Sequence, residues 1–95
     1  MERERQFALP LAAERISAVV ASWSGVTTRQ NRCGGIEFRI GRLELGHLCR
    51  SIANLPFPRG TRVRLRTSTE LRRAIDLFRL NYSRATSKQG GRHAL

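Results

Sequence analysis

Residues Gly35–Cys49 have the sequence GIEFRIGRLELGHLC, which contains the clearest strand pattern of the chain. From Ile36 to Ile40 every second residue is apolar, which is the pattern of a strand with one buried face. Gly41-Arg42 then fits a two-residue hairpin turn that begins with glycine. We therefore predict two antiparallel strands, 35–40 and 43–49, joined by this turn.

The turn fixes the pairing of the two strands, because Ile40 must lie opposite Leu43. Counting back from that pair places His47 at the end of the apolar face of the hairpin. On the other face Arg39 lies opposite Glu44, and we expect a cross-strand ion pair there. The further pairs in this register are Phe38 with Leu45 and Ile36 with His47.

The chain has two cysteines, Cys33 and Cys49, and their spacing is not that of a metal site. The register puts them on opposite faces of the hairpin, so we expect no disulfide between them. His47 and Cys49 share a face, but side chains two positions apart on a strand lie ~6.6 Å apart, which is too far for a direct hydrogen bond. We expect a histidine at the edge of the core beside a small thiol, with both cysteines reduced.

The segments before and after the hairpin add a helix, a strand and a loop. Apolar residues at steps of three and four predict a helix from Pro10 to Trp23. The polar segment Val26–Arg32 fits an edge strand. Two prolines and a glycine make Asn54–Gly60 a loop.

The pattern of the C-terminal part predicts a strand followed by a helix. Thr61–Arg66 alternates apolar and basic residues, as a half-buried strand does. Thr67 and Glu70 have the spacing of a capping box, which predicts a helix from there to about Ala85. Small and polar residues then predict a flexible basic tail over 86–95.

Together these elements predict an α+β domain. We expect an antiparallel sheet of about four strands, with an N-terminal and a C-terminal helix packed on one face. Residues 1–85 form the single domain, and the 40% of hydrophobic residues supply one modest core. We find no apolar run near the ~18–20 residues of a membrane span and no leader pattern, so we expect a cytoplasmic protein that does not contact membranes.

The formal net charge is +11, from 18 basic and 7 acidic residues. Of the basic residues 17 are arginine, and their spread along the chain is typical of a genome that favours arginine codons. The alternative is a nucleic-acid-binding module on one face of the sheet. Single-strand binding usually adds exposed aromatic rings, and only Phe57 and Phe7 lie outside the predicted core. The arginines of that alternative site are Arg39, Arg62, Arg64 and Arg66.

Recognised catalytic motifs such as a P-loop, GxSxG or HExxH are not found in the sequence. A mononuclear metal site at His47 and Cys49 would need a carboxylate beside them. In the predicted register Glu37 and Glu44 point to the opposite face. We therefore expect no metal site within this chain.

Five segments, in their order and spacing, resemble a known family over residues 26 to 84. The segments are Gly25-Val26-Thr27-Thr28-Arg29, Gly34–Arg42, Leu45-Gly46-His47, Leu55-Pro56-Phe57-Pro58 and Ala74–Tyr82. They resemble the luciferase-domain family, a group of small proteins named after a fungal luciferase that carries a similar domain.

The chain departs from the pattern of that family in two places. The family tends to read Gly-His-x-His-Gly where this chain has Gly46-His47-Leu48-Cys49-Arg50, so His47 is retained while Cys49 and Arg50 replace the second histidine and the glycine. A longer insert with another histidine follows the Leu-Pro-Phe-Pro motif in the family. Here Pro58 is followed almost at once by the strand Thr61–Arg66. This copy looks shortened, and it lacks most of any site built from those histidines.

For the fungal relative, the resemblance implies oxidation of a phenolic pyrone luciferin by molecular oxygen, without an added metal or flavin. For this chain we expect a luciferase-domain-like protein that binds a small organic ligand or a protein partner, or a catalytically degenerate relative. Oxygen-dependent oxidation rests on the resemblance alone. The site would be an apolar pocket at His47, with Cys49 and Glu37 as further candidates. A third hypothesis is a homodimer formed through the sheet edge that the missing insert leaves bare.

Overall fold

The computed structural model describes the backbone of residues 9–93, in which a helix is followed by five strands and a second helix. The fourth strand, which overlaps the start of the predicted loop, was not predicted. The elements are α1 (Leu9–Val20), β1 (Val26–Gln30), β2 (Ile36–Ile40), β3 (Leu43–Cys49), β4 (Ile52–Leu55), β5 (Thr61–Arg64) and α2 (Ser68–His93).

The five strands form one sheet in chain order, and each neighbouring pair is antiparallel. The predicted turn Gly41-Arg42 joins β2 to β3, and Gly41 has a φ of 58°, which glycine adopts at little cost. The α+β fold with two helices packed against an antiparallel sheet is confirmed. The sheet has five strands rather than about four.

Both helices contribute buried apolar residues to a core on the same face of the sheet, which we call the inner face. The rings of Phe38 on β2 and Phe78 on α2 meet edge to face, with centroids 5.3 Å apart. Ile16 and Val20 of α1 are fully buried in the same cluster. The core therefore lies between the helices and the inner face, which leaves the opposite, outer face of the sheet uncovered by α1 and α2.

The second helix begins as predicted and continues further. The backbone N–H of Glu70 donates to Oγ1 of Thr67 at 3.2 Å, and the Glu70 carboxylate accepts from the backbone N–H groups of Thr67 and Arg66 at 3.1 and 2.9 Å. This reciprocal pairing confirms the capping box. The predicted end near Ala85 is wrong, because α2 continues to His93. Among the described residues, no helix is long and apolar enough to cross a membrane.

The predicted hairpin register holds beside the turn and fails beyond it. Ile40 lies opposite Leu43 and Arg39 opposite Glu44, as predicted. The next pair, however, joins Phe38 to Gly46, because a β-bulge leaves one extra residue on β3.

Gly46 is the residue that the bulge requires. Its φ is 150°, which L side chains rarely adopt, and a Cβ atom there would lie 2.6 Å from the Phe78 ring and 2.8 Å from the backbone oxygen of Asn54. A shift of one residue in pairing moves every later side chain to the other face of the sheet. His47 and Cys49 therefore lie on the outer face, and the prediction that they share the apolar face is wrong.

Candidate functional site

A row of polar side chains crosses the outer face of the sheet, with one residue from each strand. Strand pairing places Glu37 opposite His47 and His47 opposite Asn54. The row ends in arginine at both edges of the sheet, because Arg29 pairs with Glu37 and Arg62 pairs with Asn54. Directly paired residues point to the same face, so these five side chains are neighbours across the strands. His47 lies in the middle of this row.

The imidazole of His47 is held by a carboxylate. Its Nδ1 lies 2.9 Å from Oε2 of Glu44, and each of the two side chains is 35% exposed. Since a carboxylate only accepts hydrogen bonds, Nδ1 is the donor in this contact, and a neutral ring in this tautomer has its lone pair on Nε2. In the described part of the chain no group hydrogen-bonds that nitrogen, so Nε2 of His47 can accept a proton from a ligand.

Arg39 is fixed on both sides of its guanidinium group. Its Nη1 donates to Oε2 of Glu37, and its Nη2 donates to the backbone oxygen of Arg42 at 2.8 Å. The predicted ion pair between Arg39 and Glu44 is therefore wrong, although the two residues do lie opposite each other. Glu44 pairs with His47 instead of Arg39, because the bulge brings His47 to the face where Glu44 already lies.

These groups line a cleft of about 490 Å³ on the outer face. The three predicted candidates, Glu37, His47 and Cys49, all lie in its walls, so the structure brings them together. Apart from the two cysteines, the residues that line it are of charged and polar types, whereas the sequence predicted an apolar pocket at His47. The lining residues are Arg29, Gln30, Asn31, Arg32, Cys33, Glu37, Arg39, Glu44, His47 and Cys49.

One wall of the cleft contains a disulfide between Cys33 and Cys49, whose Cα atoms are 5.9 Å apart. The prediction of two free thiols is therefore wrong. Its physical reason is again the bulge at Gly46, which brings Cys49 to the face toward which the turn before β2 carries Cys33. While the bond is intact, Cys49 cannot act as a thiol nucleophile.

The carboxylates that the predicted register placed away from His47 lie beside it. Glu37 and Glu44 lie on the same face as His47, not on the opposite one. Each carboxylate is engaged, Glu37 by Arg39 and Glu44 by His47. Within the described ranges, no group of three or more His, Cys, Asp or Glu side chains is placed to hold a metal ion.

The four arginines of the nucleic-acid alternative lie in different surroundings. Arg62 and Arg64 are exposed on β5, whereas Arg39 is tied to Glu37, and Arg66 lies beyond the end of β5. The predicted aromatic platform Phe57 is half-buried, with the guanidinium carbon of Arg84 3.7 Å from the centre of its ring. The other predicted platform, Phe7, lies outside the described residues.

Sequence reasoning missed Glu44 as the partner of His47, and it missed Arg29 and Asn54 as neighbours in the polar row. The sequence contained a signal that would have found all three residues. A glycine inside a strand pattern indicates a bulge or a close backbone approach, and Gly46 lies inside β3. A register with one residue inserted at Gly46 would have moved His47 to the polar face.

Comparisons with known proteins add no family to this geometry. No family model matches the chain, and no curated protein and no solved structure is significantly similar to it. The luciferase-domain resemblance therefore stays a prediction that rests on the quoted segments.

Proposed function

We propose that this protein is a luciferase-domain-like protein that binds a small organic anion in the cleft, with His47 as the residue that contacts it. The observation that carries the proposal is the Glu44–His47 pair, which leaves Nε2 of His47 unpartnered in a cleft of about 490 Å³. This volume lies within the range of ligand pockets, which is roughly 300–1,000 Å³.

The charges around the cleft favour an anion. Three arginines, Arg29, Arg32 and Arg39, line it together with the carboxylates of Glu37 and Glu44. Glu37 balances Arg39, and Glu44 is hydrogen-bonded to His47, so Arg29 and Arg32 supply positive charge for a ligand. A carboxylate or phenolate of the ligand would be attracted to these guanidinium groups.

The Glu44–His47 pair also defines what chemistry the site can perform. A histidine whose Nδ1–H is held by a carboxylate can take up a proton at Nε2 from a hydroxyl or phenol of the ligand. This is general-base chemistry, and the resemblance would add an oxygen-dependent oxidation. A catalytically degenerate relative would keep the binding and lack the oxidation.

Two backbone features support the luciferase-domain part of the proposal. Gly46, which the bulge needs, is the glycine that precedes His47 in the quoted segment. Arg50, which stands where the family tends to have glycine, has a φ of 57°, a conformation that glycine adopts most easily. Both positions fit a pattern that requires glycine-like backbone geometry on each side of the histidine.

Ligand binding can be tested by NMR of the isotope-labelled protein during titration with small aromatic carboxylic acids and phenols. We expect shifts confined to the cleft and centred on the His47 ring. His47→Ala should abolish these shifts, and Glu44→Gln should weaken binding by on the order of tenfold through loss of a charged hydrogen bond. Asp76→Asn, which removes an exposed carboxylate on α2, is the matched control and should bind normally.

A second candidate function, nucleic-acid binding, is favoured by one observation: Arg62 and Arg64 are both exposed on the outer face at the β5 edge. Binding of single-stranded DNA through them should fall steeply with salt, because phosphate contacts release counterions. The double change Arg62→Gln and Arg64→Gln should remove it. The control with the same charge change is Arg72→Gln and Arg73→Gln, on exposed positions of α2.

These two titrations separate the functions. Ligand-induced shifts at His47, together with DNA binding that neither double variant changes, would support the cleft. A folded His47→Ala variant that binds every ligand as the wild type does would overturn it. DNA binding that both double variants lose equally would contradict the specific role of Arg62 and Arg64.

A further inference from the structure

The disulfide lies where small molecules can reach it. Cys33 is exposed in the turn between β1 and β2, and Cys49, the last residue of β3, is half-buried. Both residues line the cleft that also contains His47. An incoming thiol can therefore approach the sulfur of Cys33 from solvent.

Hydrogen bonds that do not involve the disulfide hold the turn that contains Cys33. Oδ1 of Asn31 accepts hydrogen bonds from the backbone N–H groups of Cys33 and Gly35, at 3.2 and 2.9 Å, and Nδ2 of Asn31 donates to the backbone oxygen of Leu48 at 3.2 Å. The backbone N–H of Asn31 donates to the oxygen of Gly35 at 3.0 Å. These bonds fasten the turn to β3 next to Cys49.

Close packing of the backbone also holds the turn against β3. A Cβ atom on Gly35 would lie 1.8 Å from the backbone oxygen of Leu48, so the turn lies directly against β3. Because hydrogen bonds and packing fix both cysteines, their sulfur atoms should stay within bonding reach after the S–S bond opens. Positive charge nearby, from Arg29 and Arg32 in the cleft lining, would stabilise a thiolate that leaves.

We infer that Cys33 and Cys49 form a reversible redox site that exchanges with small thiols. A glutathione thiolate attacks the sulfur of Cys33, a new S–S bond forms there, and Cys49 leaves as a thiolate. A second glutathione thiolate attacks this mixed disulfide, which releases oxidised glutathione and the Cys33 thiolate. The protein gains two electrons, and the protons lost by the two glutathione thiols protonate the two cysteines. Oxidised glutathione reverses each step.

This site reconciles the disulfide with the predicted cytoplasmic location. Disulfides in a reducing cytoplasm are usually transient, either catalytic or redox-sensing. The S–S bond lies in the wall of the cleft, so its opening should also change ligand affinity. That last consequence rests on the proposed function, whereas the exchange itself does not.

The experiment equilibrates the full chain with glutathione buffers over a range of ratios of reduced to oxidised glutathione, with thiol trapping and mass spectrometry as the readout. We expect complete and reversible conversion without denaturant, through a glutathione adduct on Cys33. NMR of the reduced protein should keep its dispersion, with shifts confined to the Asn31–Gly35 turn, the end of β3 and His47.

Single variants identify the attacked sulfur. In Cys49→Ser the exposed Cys33 should form the glutathione adduct at least tenfold faster than the half-buried Cys49 does in Cys33→Ser. Equal rates would overturn the assignment of Cys33. If the wild-type bond resists reduction until urea is added, or if the reduced chain loses its dispersed spectrum, the site is a structural crosslink and the inference is wrong. A normal exchange without any ligand binding would contradict the proposed function and leave the redox site intact.

Discussion

At the scale of single residues, the position of His47 depends on a glycine next to it. Without the bulge at Gly46, the pairing of β2 with β3 would continue from Glu44 and bring His47 to the inner face. The same shift brings Cys49 beside Cys33. It also brings Nδ1 of His47 to 2.9 Å from Oε2 of Glu44. One backbone irregularity therefore brings both His47 and Cys49 into the cleft.

Replacement of Gly46 by alanine should destabilise the fold by roughly 2–4 kcal/mol, because backbone strain and overpacking each cost about 1–3 kcal/mol. The added methyl group would lie 2.6 Å from the ring of Phe78, and the backbone φ of 150° is unfavourable for alanine. Urea unfolding measures the loss. Gly34→Ala is the control, because Gly34 has a φ of 84° but nothing within 4 Å of its Cβ position. An equal loss in the two variants would show that contact with Phe78 contributes nothing.

At the scale of elements, one buried side chain connects α2 to the loop between β4 and β5. Asn81 is 6% exposed. Its Oδ1 accepts from the backbone N–H of Phe57 at 3.2 Å, and its Nδ2 donates to the backbone oxygens of Phe57 and Leu77, both at 2.8 Å. The side chain thus satisfies backbone groups that the loop itself leaves unpaired.

Asn81→Leu should lower the free energy of unfolding by about 2–4 kcal/mol, since both backbone groups of Phe57 lose their partner and each unsatisfied group costs about 1–3 kcal/mol. Thermal or urea unfolding of the two proteins gives this difference. Ser83→Ala, at an exposed position of α2, should change stability by less than about 0.5 kcal/mol. A loss below 1 kcal/mol in Asn81→Leu would mean that water replaces these bonds.

The elements also show how far the sequence could be interpreted. Period-two alternation and the glycine turn predicted β2 and β3, and the capping box predicted where α2 begins. The strand β4 was missed because its four residues, Ile52–Leu55, run into the prolines of the following loop. The face of His47 was missed because hydrophobic alternation does not record a bulge. The candidate residues Glu37, His47 and Cys49 were found, but the bond between Cys49 and Cys33 was not.

At the scale of the whole molecule, the dominant feature is the excess of positive charge. The chain carries 18 basic and 7 acidic residues, a difference of +11. Two of the seven acidic side chains, Glu37 and Glu44, are engaged inside the cleft, so they do little to balance the exposed arginines elsewhere. Repulsion among like charges opposes the compact state, and salt screens it.

We therefore expect the urea midpoint of unfolding to rise between about 0.01 M and about 0.15 M sodium chloride, over which the Debye length falls from ~30 Å to ~8 Å. Urea is the suitable denaturant because it is uncharged and leaves the ionic strength unchanged. The double variant Arg72→Glu and Arg73→Glu lowers the net charge from +11 to 11 − 4 = +7 at exposed positions of α2 that do not line the cleft. Its midpoint should rise less over the same range of salt. A wild-type midpoint that falls with salt would show instead that attraction between specific charged pairs outweighs the general repulsion. The arginines would then be partners in a network of ion pairs rather than a solvated excess of charge.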